Sequence, residues 1–276
     1  MPEGHTLLRL ARQLTGAFGG RPVRVSSPQG RFAADAALVD GALCLGAESA
    51  GKHLFLELDG DRFIHIHLGL IGKLDVVSGP APAPVGQVRL RLQNDTAYAD
   101  LRGATQCDLI GAERRDQIEA QLGADPLRTD ADPDRAWARI SVSKRSIGDL
   151  LMDQSVFAGV GNVYRAELLF RHRIHPLRPG RTLRHGQFQA MWLDLVELME
   201  YGVRTGRIDT VRPEHTPEAM GRPPREDDHG GEVYVYRRHG QDCLVCGSRV
   251  RTDTLAGRNL FWCARCQPVF RSRAVG

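Results

Sequence analysis

Cys243-Leu244-Val245-Cys246 and Cys263-Ala264-Arg265-Cys266 are two CxxC knuckles separated by sixteen residues, and their reading decides what the end of this chain is. Two thiol pairs at this spacing fold four sulfurs into a tetrahedron suited to zinc. The intervening Arg249 to Phe261 reads as two strands around Ala256-Gly257. The expectation is therefore a zinc β-hairpin over residues 233–276. Four protein ligands leave no open coordination position, so the metal is structural rather than catalytic. In this reading the segment has no apolar core of its own, and metal binding supplies most of its folding energy. Cys44 and Cys107 lack neighbours of this type and read as ordinary buried thiols.

The same segment is basic, with eight Arg against two Asp, whereas residues 1–232 hold 29 basic and 31 acidic residues. A basic end on a near-neutral body points to a polyanionic partner, with a solvated tail as the plainer reading. The chain has 276 residues, 42% apolar and 25% charged, as in a folded protein of one large domain or two ordinary ones with room for a small appendage. No run of 18 apolar residues occurs, so no membrane span is expected. Met1-Pro2-Glu3-Gly4-His5 lacks the order of a signal peptide, which makes the cytoplasm the expected location.

Working back along the chain, Leu7, Leu10, Ala11, Leu14 and Phe18 fit one helix with a buried stripe over residues 3–18. His53 to Leu58 and Phe63 to Leu68 flank Asp59-Gly60-Asp61, a hairpin signal. Val88, Leu90 and Leu92 alternate with Arg89 and Arg91, which predicts a strand with one wet, basic face. Pro80-Ala81-Pro82-Ala83-Pro84 reads as a stiff surface loop. Helical patterns follow at Glu113 to Leu122, Pro133 to Ile140, Ile147 to Gln154, Tyr164 to Arg171 and Gln187 to Tyr201. Residues 204–232 read as a long mobile connector. The fold class is α+β in three parts: a β-rich domain over 1–125, a helical domain over 126–232, and the hairpin over 233–276. Within the helical part, Ala158-Gly159-Val160-Gly161-Asn162 lies between two helices. Its glycines let backbone amides face an anion at the next helix start, with Asn162 as cap or donor.

Three segments converge on one family. Pro2-Glu3-Gly4, Gly159-Val160-Gly161-Asn162-Val163-Tyr164-Arg165-Ala166-Glu167, and Gly257-Arg258-Asn259 with Trp262-Cys263-Ala264-Arg265-Cys266-Gln267 resemble the formamidopyrimidine-DNA glycosylase and endonuclease VIII family. The resemblance implies an amino-terminal β-sandwich, a helix–two-turn–helix domain and a zinc hairpin, with damaged double-stranded DNA held between the two halves by a monomer. It implies a base-excision glycosylase that also cuts the strand. Pro2 matches the nucleophile once Met1 is removed, Glu3 the general acid, and Lys52 the lysine of β-elimination. Asn162 matches the phosphate-binding asparagine. Arg258 matches the hairpin arginine of the phosphate contact and δ-elimination. Tyr164 and Arg102 are further expected DNA contacts, although solvent exposure explains Arg102, like Lys73, equally well. Leu70, in His67-Leu68-Gly69-Leu70-Ile71-Gly72, matches the side chain that fills the gap left by a flipped base.

The chemistry stands without the resemblance. A free α-amino group has a pKa of about 7.7–8.0 against about 10.4 for lysine, so more of it is neutral and nucleophilic at pH 7. Glu3 beside it is placed to protonate an opening sugar if burial holds its pKa up. Taken alone, Pro2-Glu3 equally suits the first turn of a helix. His65 and His67 share one strand face, but with no third ligand evident a metal there is not expected.

Pro2-Glu3-Gly4 is similar to the endonuclease VIII branch, which removes oxidised pyrimidines. The purine branch adds an Arg-x-Phe element where this chain has Leu101-Arg102-Gly103-Ala104. An 8-oxoguanine glycosylase is thus the alternative reading. A catalytically silent zinc-hairpin DNA-binding protein and a zinc-ribbon RNA-binding factor come from other classes, and neither needs a free amino terminus.

Overall fold

The computed structural model describes residues 2–226 and 231–271. The expected loss of Met1 therefore lies outside the described residues. The chain divides into two compact units, residues 1–122 and 123–276.

The first unit opens with α1 (Gly4–Phe18), which buries Leu7, Leu10, Ala11, Leu14 and Phe18, the i, i+3, i+4, i+7 rhythm of one helix face. Glu3 precedes it in extended backbone, and the helix stops at Gly19, where a Cβ would lie 2.6 Å from the Thr15 carbonyl oxygen. Then follow β1 (Arg21–Pro22), β2 (Arg24–Ser26), α2 (Ala33–Val39), β3 (Leu43–Ala50), β4 (His53–Leu58), β5 (Arg62–His67), β6 (Lys73–Ser78), β7 (Val88–Gln93), β8 (Ala97–Arg102), β9 (Gln106–Gly111) and α3 (Ala112–Ala120). Antiparallel pairing gives a sheet of order β1-β3-β4-β5-β9 and another of order β2-β7-β8-β6. Leu54, Leu56, Ile64 and Ile66 of the first sheet share one core with Leu90, Leu92, Ala99 and Leu101 of the second and with α1. Side chains two apart face one way, so this is a sandwich closed along one edge by a helix. The other face of the five-stranded sheet carries Phe55 and Phe63, packed with Ile118 of α3.

The expected wet face of β7 is not found. Arg91 is 4% exposed and meets Asp100 through two hydrogen bonds, Nε to Oδ1 at 2.7 Å and Nη2 to Oδ2 at 2.8 Å. Its Nη1 donates to the Pro82 carbonyl at 2.6 Å, so the proline-rich loop reaches back to this side chain. Arg89 donates to the carbonyls of Ala104 and Cys107. An alternating Arg pattern reads as solvent-facing only when no carboxylate stands across the strand. Here β8 supplies one.

The second unit contains α4 (Pro133–Ile140), α5 (Ile147–Leu150), α6 (Asn162–Arg171), α7 (His185–Thr205), the short α8 (Pro217–Met220), and the antiparallel pair β10 (Arg251–Leu255) and β11 (Arg258–Trp262). Asp132 caps α4 by accepting from the Asp134 amide, with Pro133 at the first helical position. α5 makes one turn rather than running to Gln154. Asp153 accepts from both the amide and the hydroxyl of Ser155, a local bond that competes with the helix. α7 extends past its expected end to Thr205 and closes at Gly206, whose φ is 75°.

Residues 204–232 differ from the expected mobile connector in their described part. Thr210 is fully buried, its amide donating to the Glu232 carbonyl at 2.8 Å, and Glu232 pairs with Arg222 at 2.6 Å. The anchoring is polar, so a count of apolar residues misses it; residues 227–230 lie outside the described residues. The hairpin also differs from expectation. Val250, Phe261, Cys243 and Cys263 belong to the same apolar core as α6 and α7, so packing as well as metal holds it. Among the described residues, no helix is long and apolar enough to cross a membrane.

Candidate active site

The last turns of α1 are tied to β3 by two hydrogen bonds. The Gly20 amide donates to the Cys44 carbonyl at 2.8 Å, and the Ala47 amide to Thr15 Oγ1 at 2.9 Å. Residue number therefore falls along α1 as it rises along β3. Lys52 lies in the turn between β3 and β4. Pro2 is partly exposed and Glu3 fully buried, with the Thr6 amide on its carbonyl at 2.8 Å.

The loop that carries Leu70 leaves the sheet at the same end as Lys52. His53 pairs with His67 across β4 and β5, and the chain then turns through residues 68–72. Leu70 is 55% exposed and Ile71 83%. Gly69 has φ +71°, and a Cβ there would lie 2.4 Å from Thr105 Cγ2, so only glycine fits. Three imidazoles line the sheet beside it. His53 Nδ1 lies 2.9 Å from His65 Nε2, and the His53 and His67 rings are 5.2 Å apart. Burial pushes the pKa of His53 and His65 down to about 4, with neighbouring imidazoles adding to the effect at His53. Burial, then the Lys52 charge, lowers that of His67. His53 was missed in the sequence because it joins this group only through strand register. The short His53–His65 spacing is that of a direct hydrogen bond.

Tyr164 is placed differently from expectation, and Arg102 is engaged by neighbouring carboxylates. Arg102 pairs with Asp100 at 2.8 Å and Asp75 at 3.6 Å and donates to the Val85 carbonyl, with its side chain 32% exposed. Tyr164 is fully buried, its hydroxyl 3.4 Å from the Leu198 carbonyl. It sits two residues from Asn162, roughly 200° around the helix, and is a core residue rather than a surface for DNA. Lys73 is 73% exposed and pairs with Asp75 at 3.0 Å.

In the second unit α6 meets the hairpin. Gln154 folds the glycine junction: its Oε1 accepts from the Gly159 amide and its Nε2 donates to the Val160 carbonyl, both at 3.0 Å. Asn162 Nδ2 donates to the Asn259 carbonyl at 2.9 Å, and Arg165, 1% exposed, donates to the same oxygen at 2.8 Å and to Asn162 Oδ1. The neighbour of Asn259 is Arg258, exposed at the start of β11 after Ala256 and Gly257, whose φ values are 48° and 72°. Two residues of positive φ make the tight turn that suits a twisted hairpin. Glu167 is fully buried and accepts from Thr210 Oγ1 and the amides of Tyr234, Val235 and Tyr236 at 2.7 to 2.9 Å. Thus one helix fixes both the tip of the hairpin and the chain that leads into it. The sequence assigns Arg165 and Glu167 no role, because the Asn259 carbonyl that Arg165 meets lies 94 residues away and the partners of Glu167 lie 43 to 69 residues away.

The four cysteines of the hairpin converge. Their Sγ atoms all lie within 4.8 Å of one another, with Cys243 to Cys266 at 3.8 Å and Cys246 to Cys263 at 3.4 Å. A tetrahedral zinc with bonds of about 2.3 Å sets sulfurs about 3.8 Å apart, so this set fits the metal. Gln267 ties the second knuckle to the helices, accepting from the Cys263 amide and donating to the Ile174 carbonyl. Burial pushes the Cys44 and Cys107 thiols up to about 11 and about 12, as ordinary inert thiols.

Comparison with known proteins agrees with this arrangement. Residues 1–107 match the family model described as the formamidopyrimidine-DNA glycosylase N-terminal domain, and residues 122–213 match its H2TH domain. Residues 240–269 match the zinc finger found in FPG and IleRS. The chain is 51% identical over 274 residues to "Endonuclease 8 1" of Mycobacterium tuberculosis, covering 97% of this chain and all of that one. It is 32% identical over 235 residues to the formamidopyrimidine-DNA glycosylase of Thermosynechococcus vestitus, covering 82% and 79%. A Lactococcus lactis Fpg in complex with abasic-site DNA superposes with a TM-score of 0.78 at 21% identity, over 97% of this chain and 100% of that one.

Proposed function

The chain belongs to the formamidopyrimidine-DNA glycosylase and endonuclease VIII family, and from that premise we propose that Pro2 and Glu3 carry its chemistry. Its activity is that of a bifunctional DNA glycosylase and AP lyase of base excision repair. With Met1 removed, the Pro2 nitrogen attacks C1′ of the damaged nucleotide, forming an N–C bond as the bond to the base breaks. Glu3 protonates O4′ as the sugar ring opens, which leaves an iminium between Pro2 and C1′. Loss of a C2′ proton then expels the 3′ phosphate, a step served by Lys52. A second elimination expels the 5′ phosphate, with Arg258 and Asn162 holding the phosphate that flanks the lesion. Leu70 enters the space the flipped base vacates. Zinc, bound by Cys243, Cys246, Cys263 and Cys266, supplies no bond chemistry; it holds the hairpin that presents Arg258.

The observation that supports this reading is the register of α1 on β3: residue number falls along the helix as it rises along the strand toward Lys52, and Glu3 at the helix start is fully buried. Oxidised pyrimidines are the proposed substrates. The Pro2-Glu3-Gly4 start, the absence of an aromatic side chain from residues 101–104, and 51% identity to a protein named endonuclease 8 support this preference. The enzyme acts as a monomer on damaged duplex DNA in the bacterial cytoplasm. Borohydride reduction on duplex with an abasic site or thymine glycol should trap a covalent complex whose adduct maps to Pro2. An adduct at Lys52, Lys73 or Lys144 would overturn the nucleophile, and no adduct would favour a silent binding protein.

A further inference from the structure

The loop that carries Leu70 and Ile71 is held from behind by a histidine. The Gly69 amide donates to His67 Nδ1 at 3.2 Å, and Thr105 Oγ1 lies 3.1 Å from the same nitrogen. The Thr105 hydroxyl donates to the His67 carbonyl at 2.9 Å, as does the Thr105 amide at 3.1 Å. Nδ1 therefore meets an N–H donor and a hydroxyl oxygen whose hydrogen is already used. Its lone pair accepts, and the ring carries its proton on Nε2. Gly72 closes the loop by donating to the Leu68 carbonyl at 3.1 Å. Two apolar side chains, 55% and 83% exposed, are thereby kept out in water on a tight turn.

Behind His67 stands the pair His53 and His65. His65 is 1% exposed, and its Nδ1 is buried with no hydrogen-bond partner. A bare lone pair is cheaper to bury than an unpaired N–H, so the His65 proton sits on Nε2 and is donated to His53 Nδ1. Phe55 stacks on His65 at 4.9 Å and closes the far side. The charged groups facing the three rings are Lys52 at His67, and Asp108 of β9 and Arg114 of α3 at His65. The array is neutral at working pH and packs continuously from Phe55 to the loop.

We propose that His67 is a positioning residue, tying the Leu70-Ile71 wedge to the Lys52 end of the sheet through Nδ1. The proposal rests on the wedge reading of that loop. A preformed wedge pays its ordering entropy before DNA arrives, so eversion of a paired base is the step it speeds.

The test separates the two ring nitrogens. In His67→Asn the amide oxygen stands near the position of Nδ1 and keeps an acceptor for Gly69, whereas in His67→Gln it reaches the position of Nε2. The readout is the ratio of single-turnover excision of thymine glycol from matched duplex to excision of the same lesion in a single strand, where no partner base must be left. Eversion is followed in parallel by 2-aminopurine fluorescence beside the lesion. Loss of one hydrogen bond predicts a ratio lowered by about tenfold in His67→Gln, with slower eversion, and a ratio near wild type in His67→Asn. An unchanged ratio in His67→Gln, or an equal fall in both variants, would overturn the proposal. Leu70→Ala distinguishes the underlying reading: if it leaves the ratio unchanged, the loop is no wedge, whatever His67 does.

Discussion

Glu3 is buried without exposed surface at the start of a helix, next to the only backbone nitrogen in the chain's first turn that belongs to a proline. Glu3→Gln should lower base excision by about a hundredfold or more while sparing strand cleavage at a preformed abasic site, because an existing aldehyde needs less acid assistance. Equal loss of both activities would mean that the carboxylate only positions Pro2. Histidine burial gives a second prediction. His5, His53 and His65 are each held at about 4 by burial, against 6.5 when free. Between those values the unfolded chain binds more protons than the folded one, so this stability is complete above pH 6.5 and is lost as pH falls toward 4. Urea midpoints measured from pH 8 to pH 4.5 should fall below pH 6.5; a flat profile would show that these rings are not held neutral.

Elements with a strong period were legible in the sequence. α1, α4 and the β4–β5 hairpin stand within a residue or two of where their apolar spacing predicts, since each buries a face that its own sequence declares. What was not legible depends on partners far along the chain. Gln154, Glu167 and Arg165 satisfy backbone groups that only the folded chain brings near, and Tyr164, expected as a DNA contact, is buried on the other side of α6 from Asn162. The four cysteines were legible because their spacing alone encodes the site. All three tryptophans, Trp137, Trp192 and Trp262, lie in the second unit, so their fluorescence reports on it alone. Chelation of zinc, or Cys243→Ser, should abolish duplex binding and lower the melting temperature read by tryptophan. The first unit, with its own apolar core, should keep its far-ultraviolet β signal. Full DNA affinity without zinc would refute the role of the hairpin.

At the scale of the whole molecule, the partner is a polyanion and the lesion a matter of pocket chemistry. Binding to undamaged duplex should fall steeply with salt, because arginines that meet phosphates displace counterions. Thymine glycol should outcompete 8-oxoguanine opposite cytosine in single-turnover assays at one salt concentration. A clear preference for 8-oxoguanine would reverse the substrate assignment and leave the Pro2 chemistry standing. The core shared by hairpin and helices has a further consequence, for inheritance. A Cβ at Gly148 would come within 3.3 Å of Leu255 Cδ2 on β10, and Gln267 is bonded to the Ile174 carbonyl behind α6. A hairpin exchanged by recombination from a distant lineage would bring strangers to both contacts. Hairpin and helices are therefore expected to descend together as one heritable block, with changes at 255 answered by changes near 148.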